Sequence, residues 1–131
     1  KVKTNVDSGT PTFLQDAGVA ALLDESHVEH MRQQYKIKRD IIVKALKGIG
    51  LKDCTPKSTL YIWQKIPEGI SSVEFAKKLL WEEIAIVTTP GSWISTEFNG
   101  VNPGEGYVRF ALVPTIQECK LAAERLSGLE F

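Results

Sequence analysis

Tyr107-Val108-Arg109-Phe110-Ala111-Leu112-Val113, followed at once by Pro114-Thr115-Ile116-Gln117-Glu118, is the stretch that decides the fold. Its first seven residues, mostly β-branched, aromatic or apolar, read as a strand. Thr115 and Glu118 stand three apart, the spacing at which a hydroxyl and a carboxylate cap each other's backbone amides, so a helix opens directly after the strand. Alternation puts Val108, Phe110 and Leu112 on one face, toward a core. Tyr107, Arg109, Ala111 and Val113 share the other face. A strand with one apolar face that feeds a helix is a unit of a layered α/β arrangement.

The chain before it supplies the remaining layers. Ser92 to Gly106 carries Gly100, Pro103, Gly104 and Gly106 and reads as a long loop, a length usually functional or mobile. Ile84 to Thr88 reads as a short strand ended by Pro90-Gly91. Ser71 and Glu74 form a second capping box, opening a helix that carries Val73, Phe75, Ala76, Leu79 and Leu80 on one side. Leu60 to Ile66 is a strand set off by Pro56 and Pro67. Ser26 to Lys47 is a longer helix with an apolar stripe of Val28, Met31, Tyr35, Ile42, Ala45 and Leu46. About 22 residues at 1.5 Å each make a rod of roughly 33 Å, of the kind that connects or braces domains. Gly48 and Gly50 stop it. A helix from Pro11 or Thr12 to Leu23 is apolar and Ala-rich, so burial is expected. Lys1 to Thr12 reads as a loop, dense in turn formers at Asp7-Ser8-Gly9-Thr10-Pro11.

The fold class is therefore α/β, as an α+β two-layer sandwich. A small, mostly antiparallel sheet of three to four strands has helices on one face and is preceded by a long linking helix. Within 131 residues, 43% hydrophobic and 24% charged, a chain can bury a core without disulfides. Sixteen basic residues balance sixteen acidic ones, which argues against a nucleic-acid partner. No apolar run approaches the roughly 20 residues that span a bilayer, and the opening residues lack a secretory signal. Cys54 and Cys119 match no metal spacing and read as reduced thiols, which points to a cytoplasmic protein. The chain opens on Lys1 and its single methionine is Met31, which reads as a piece of a longer polypeptide.

Arg109 is the leading candidate for chemistry. A guanidinium inside an apolar strand is costly unless it meets solvent or an anion. An edge-strand charge that blocks aggregation is the structural alternative. As a site, a planar fork on a rigid strand suits bidentate capture of a carboxylate. Thr88-Thr89-Pro90-Gly91-Ser92-Trp93 ends a strand and begins the long loop, which could close over a small ligand beside Arg109; a plain connection is the alternative. Trp93, on that loop, is a site-adjacent candidate. His27 and His30 lack a third ligand, so no metal site is expected. Neither cysteine has an identifiable base beside it.

Several motifs then line up in order: Asp7-Ser8-Gly9, Gln15, Arg39-Asp40, Lys57-Ser58-Thr59-Leu60-Tyr61-Ile62-Trp63, Pro67, Phe75-Ala76, Leu79-Leu80, Pro90-Gly91, and Gly104-Glu105-Gly106-Tyr107-Val108-Arg109-Phe110-Ala111-Leu112. Over essentially its whole length the chain resembles the C-terminal part of class I/II aminotransferases, the fold-type I enzymes that use pyridoxal phosphate. Thr88 to Ser95 with Asn102 to Tyr107 is similar to the branch acting on diaminopimelate or its N-succinyl form in lysine biosynthesis. The resemblance implies that residues 1–24 end a large domain and that 25–131 form the linking helix and small domain. It implies that Arg109 binds the substrate α-carboxylate, that Trp93 lies by the substrate, and that the Pro90-Gly91 loop belongs to a lid. Ser8 and Thr10 would lie near the cofactor phosphate across the interface of a homodimer. Amino acid and 2-oxo acid, with glutamate and 2-oxoglutarate as donor pair, are the implied substrates. The family's cofactor-bonding lysine, preceded by Ser or Thr, has no counterpart here, so no catalytic residue is expected in this segment and the segment alone is expected to be inactive. The aromatic-Gly pair usual after Pro-Gly is replaced by Trp93-Ile94. A free-standing α/β amino-acid-binding module and a dimerisation domain are the alternatives.

Overall fold

The computed structural model describes residues 2–6 and 9–129. The chain divides into two compact units, 1–33 and 34–131. Among the described residues nine elements follow in order: α1 (Val2–Val6), α2 (Thr12–Leu23), α3 (Ser26–Gly48), β1 (Tyr61–Lys65), α4 (Ser72–Leu79), β2 (Thr89–Pro90), a 3-10 turn (Gly91–Trp93), β3 (Tyr107–Ala111) and α5 (Ile116–Leu126).

Residues 34–131 hold the expected mixed fold, with a three-stranded antiparallel sheet in the order β1-β3-β2. Its inner face carries Ile62, Val108 and Phe110, which join Ile42 and Leu46 of α3, Phe75 and Leu79 of α4, and Cys119 and Leu126 of α5 in one buried cluster. The alternation read from Tyr107 to Val113 holds, since Val108, Phe110 and Leu112 are all buried. Gln64 shares that inner face, and its amide nitrogen donates to the carbonyls of Lys52 (2.9 Å) and Lys65 (2.8 Å), so its burial costs little.

Both capping boxes form. Glu74 N donates to Ser71 Oγ while Ser71 N donates to the Glu74 carboxylate, and Thr115 and Glu118 repeat the pattern. The long helix stops as its glycines require. Gly50 takes φ +84°, Gly50 N donates to Lys47 O, and Leu51 N reaches back to Leu46 O, the paired bonds of a Schellman motif.

Four expectations need correction. Residues 1–12 are not all loop, because Val2–Val6 is helical; the turn formers begin only at Asp7, and the five residues before it contain neither Gly nor Pro. The helix α2 has no buried residue, with Phe13 69% and Leu22 80% exposed. It is apolar all round, and such a helix needs cover on several sides. The stripe of α3 is buried only in its second half: Met31 is exposed, whereas Ile42, Val43 and Leu46 are buried. Finally, Ile84 to Thr88 is not a strand. Ile84 N and Ala85 N donate to Trp81 O, Ile86 N donates to Leu79 O, and Ala85 takes φ +51°. These amides turn back to the end of α4, so pairing with β3 starts only at Thr89.

Candidate functional site

The sheet's outer face gathers the residues with chemistry. Antiparallel register pairs Trp63 with Arg109, Lys65 with Tyr107, Tyr61 with Ala111, and Thr89 with Arg109. Directly opposed residues project to the same side. Arg109 therefore stands on the central strand between β1 and β2, which overturns the edge-strand alternative. The sequence could not show this, because 41 residues separate the end of β1 from the start of β3, and the two strands pair only in the fold.

The guanidinium has two partners of note, both neutral. Its carbon lies 4.6 Å from the centroid of the Tyr61 ring. Its Nη2 donates to Thr89 Oγ1 at a long 3.5 Å. Trp63, its cross-strand neighbour, stacks on Tyr107 with centroids 5.8 Å apart and planes 18° from parallel. The buried Nε has no hydrogen-bond partner, and among the described residues no carboxylate pairs with Arg109. Such a donor costs about 1–3 kcal/mol while unsatisfied. The arrangement is a fixed cation with donor capacity in reserve, suited to an arriving anion.

The long loop is fastened at its base. Gly91 and Gly104 approach so closely that a Cβ on Gly91 would lie 2.3 Å from Gly104 O, and one on Gly104 2.2 Å from Gly91 O. Asn102 Oδ1 accepts from Ser95 Oγ and from Gly104 N, while its Nδ2 donates to Ser92 O. Glu105 accepts from Ser72 N at 2.9 Å and Ser72 Oγ at 3.0 Å, tying the loop to the start of α4. Those Ser72 bonds, backbone first, hold the Glu105 carboxyl below its ordinary value. Beyond the base, Trp93, Ile94, Phe98 and Val101 are exposed.

Of the residues singled out in the sequence, Arg109 sits at the centre of this face. Trp93 lies at the end of the 3-10 turn that follows β2, 70% exposed, and neither a hydrogen bond nor a ring contact joins it to Arg109. Thr10 is exposed in the first unit, where its carbonyl accepts from Gln15 Nε2. Ser8 lies outside the described residues. His27 and His30 are exposed, and no cluster with metal-ligating potential occurs among the described residues. Burial raises the Cys119 thiol, and Cys54 Sγ accepts from Lys65 N. Thr89 belongs to the 88–93 segment read as closing beside Arg109, and it does flank that residue; Tyr61 and Trp63 carry no site expectation in the sequence. The alternation of Tyr61-Ile62-Trp63 was the available signal, yet only the register turns it into a shared face with Arg109. A separate cavity of about 380 Å³, lined by Ile42, Ile86, Phe110, Leu112, Cys119 and Ala122 among others, does not include Arg109.

The family model for aminotransferase class I and II matches residues 1–126. The LL-diaminopimelate aminotransferase of Aquifex aeolicus is 43% identical over 133 residues, covering 100% of this chain and 32% of that protein. That of Syntrophobacter fumaroxidans is 41% identical over 132 residues, with the same coverage. Among solved structures, an aminotransferase from Neisseria meningitidis superposes with a TM-score of 0.82 at 34% identity, covering 99% of this chain and 32% of that one. A probable N-succinyldiaminopimelate aminotransferase from Thermus thermophilus gives 0.62 at 31% identity, covering 80% and 26%. The chain thus spans about a third of the length of the curated relatives it matches, and its fold superposes on part of the solved aminotransferases. It belongs to the class I and II aminotransferases.

Proposed function

We propose that this chain is the C-terminal part of an enzyme that moves an amino group between an amino acid and a 2-oxo acid, with Arg109 holding the α-carboxylate of both. The observation that carries this is a guanidinium on a central strand, held only by neutral groups and keeping a buried, unpartnered Nε. An internal carboxylate would have neutralised it; a substrate carboxylate completes it. A rigid fork fixes the orientation of the bound molecule, which transfer at the adjacent Cα requires.

Diaminopimelate or its N-succinyl form is the proposed substrate class, with glutamate and 2-oxoglutarate as the donor pair and lysine biosynthesis as the setting. The names of the relatives support this. Pyridoxal phosphate is the implied cofactor. It supplies the electron sink that lets the amino group leave one carbon skeleton and join another. The donors around Arg109 suit the carboxylate end of a substrate; no built cradle for the cofactor's phosphate occurs among the described residues, with Thr10 exposed and offering a carbonyl to Gln15. The cofactor would therefore be held chiefly by the rest of the enzyme, with Ser8 and Thr10 reaching its phosphate across a homodimer interface. In that enzyme residues 1–24 would close the large domain and 25–131 would form the linking helix and small domain. Trp93 would border the substrate, and the setting is taken to be cytoplasmic.

In the full-length enzyme, Arg109→Lys should raise KM for glutamate and lower kcat/KM by roughly thirtyfold, the loss of about 2 kcal/mol when a point charge replaces a charged fork. Steady-state kinetics at wild-type values would refute the role. The alternatives, a free-standing amino-acid-binding module and a dimerisation domain, need no further chain. Calorimetry showing saturable glutamate binding to the 131 residues alone would favour the former.

A further inference from the structure

We infer that Tyr61 is a positioning residue for the anion-binding guanidinium, setting its plane through its ring face rather than through a hydrogen bond or an ion pair. This rests on the carboxylate-binding reading of Arg109 and adds what aims that side chain.

The geometry starts from the register. Trp63 stands directly across from Arg109, but the guanidinium carbon lies 4.6 Å from the Tyr61 ring, the diagonal neighbour on β1. The side chain reaches that diagonal because Ala111, paired with Tyr61, occupies little space on the same face. Trp63 is engaged elsewhere, stacked on Tyr107. On the other flank Thr89 Oγ1 offers one long acceptor. The Tyr61 ring is thus the aromatic face that covers the cation, beside that one long hydrogen bond.

A carboxylate in place of Tyr61 would orient the guanidinium equally well, but it would occupy the donors and cancel the charge. A ring quadrupole attracts the cation from above and leaves the in-plane N–H groups unoccupied. That no carboxylate pairs with Arg109 among the described residues fits that division, with the face held by the ring and the edge donors not taken by an acid. The phenol oxygen plays no part in this, so phenylalanine should serve as well as tyrosine.

Two measurements test the inference. In the 131-residue chain labelled with 15N, the Arg109 Nε–H resonance should be shifted by the ring current, keep its position in Tyr61→Phe, and move to the ordinary arginine range in Tyr61→Leu. In the full-length enzyme, Tyr61→Leu should raise KM for glutamate about tenfold with a smaller change in kcat, Tyr61→Phe should stay within about twofold of wild type, and Tyr61→Leu should have no further effect in an Arg109→Leu background. An unmoved resonance, or an equal loss in both backgrounds, would overturn the inference, since a merely structural role predicts the latter. If Arg109→Leu itself leaves KM unchanged, the carboxylate reading falls and takes this inference with it. If Arg109→Leu is costly and Tyr61→Leu is not, only the role of Tyr61 falls.

Discussion

Arg109 shows how one residue's surroundings carry information that its position in a strand does not. Its neighbours are two aromatic rings and a hydroxyl, so its charge is held in place without being spent. Glu105, four residues earlier, is the opposite case. Its carboxylate is committed to Ser72, and those bonds lower its pKa. A carboxyl whose folded value is lowered stabilises the fold fully above its ordinary value of 4.5, and that contribution is lost as pH falls below it toward the folded value. Urea midpoints of the wild type should therefore fall more steeply from about pH 5 to pH 3 than those of Glu105→Gln. Parallel curves would show that the Ser72 clamp contributes nothing measurable.

At the scale of elements, the base of the 91–106 loop is set by close backbone contact. A Cβ at Gly91 would meet Gly104 O at 2.3 Å and Tyr107 O at 2.7 Å, both backbone atoms that cannot step aside cheaply. Gly91→Ala should cost about 1–3 kcal/mol in urea denaturation, with the loss centred on the β2–β3 pairing. Gly48, near the end of α3, meets nothing within 4 Å. Gly48→Ala should instead stabilise by about 0.5–1 kcal/mol. If both substitutions shift the midpoint the same way, the contact has been misjudged. The pairing of Thr89 with Arg109 lies two residues from Gly91, so the loop base adjoins the Arg109 face.

At the scale of the whole chain, apolar surface is unevenly used. The buried core cluster lies entirely within residues 34–131. In the other unit Phe13, Leu14, Val19, Leu22 and Leu23 are all exposed. Contiguous apolar surface of this kind drives association. Sedimentation of the 131-residue chain should show mass rising with concentration, and replacing Phe13, Leu22 and Leu23 by Ser should largely abolish the rise. A concentration-independent monomer would show that α2 is covered in solution.

Elements whose signals are local were legible in the residues alone. Ser71/Glu74 and Thr115/Glu118 announced two helix starts, Gly50 announced a stop, and alternation from Tyr107 to Leu112 divided the faces of β3, because hydrogen bonds and side-chain periods act within a few residues. The order of motifs carried the family resemblance, and Arg109 stood out as a charge among apolar neighbours. Features that depend on distant pairing emerged with the fold. Ile84 to Thr88 had strand composition, but its amides found Trp81 and Leu79 first. The apolar pattern of α2 asked for burial that its own unit does not provide. Tyr61 came to lie under Arg109 because β1 pairs with β3 in one register, and a shift of one residue would have sent Tyr61 to the opposite face.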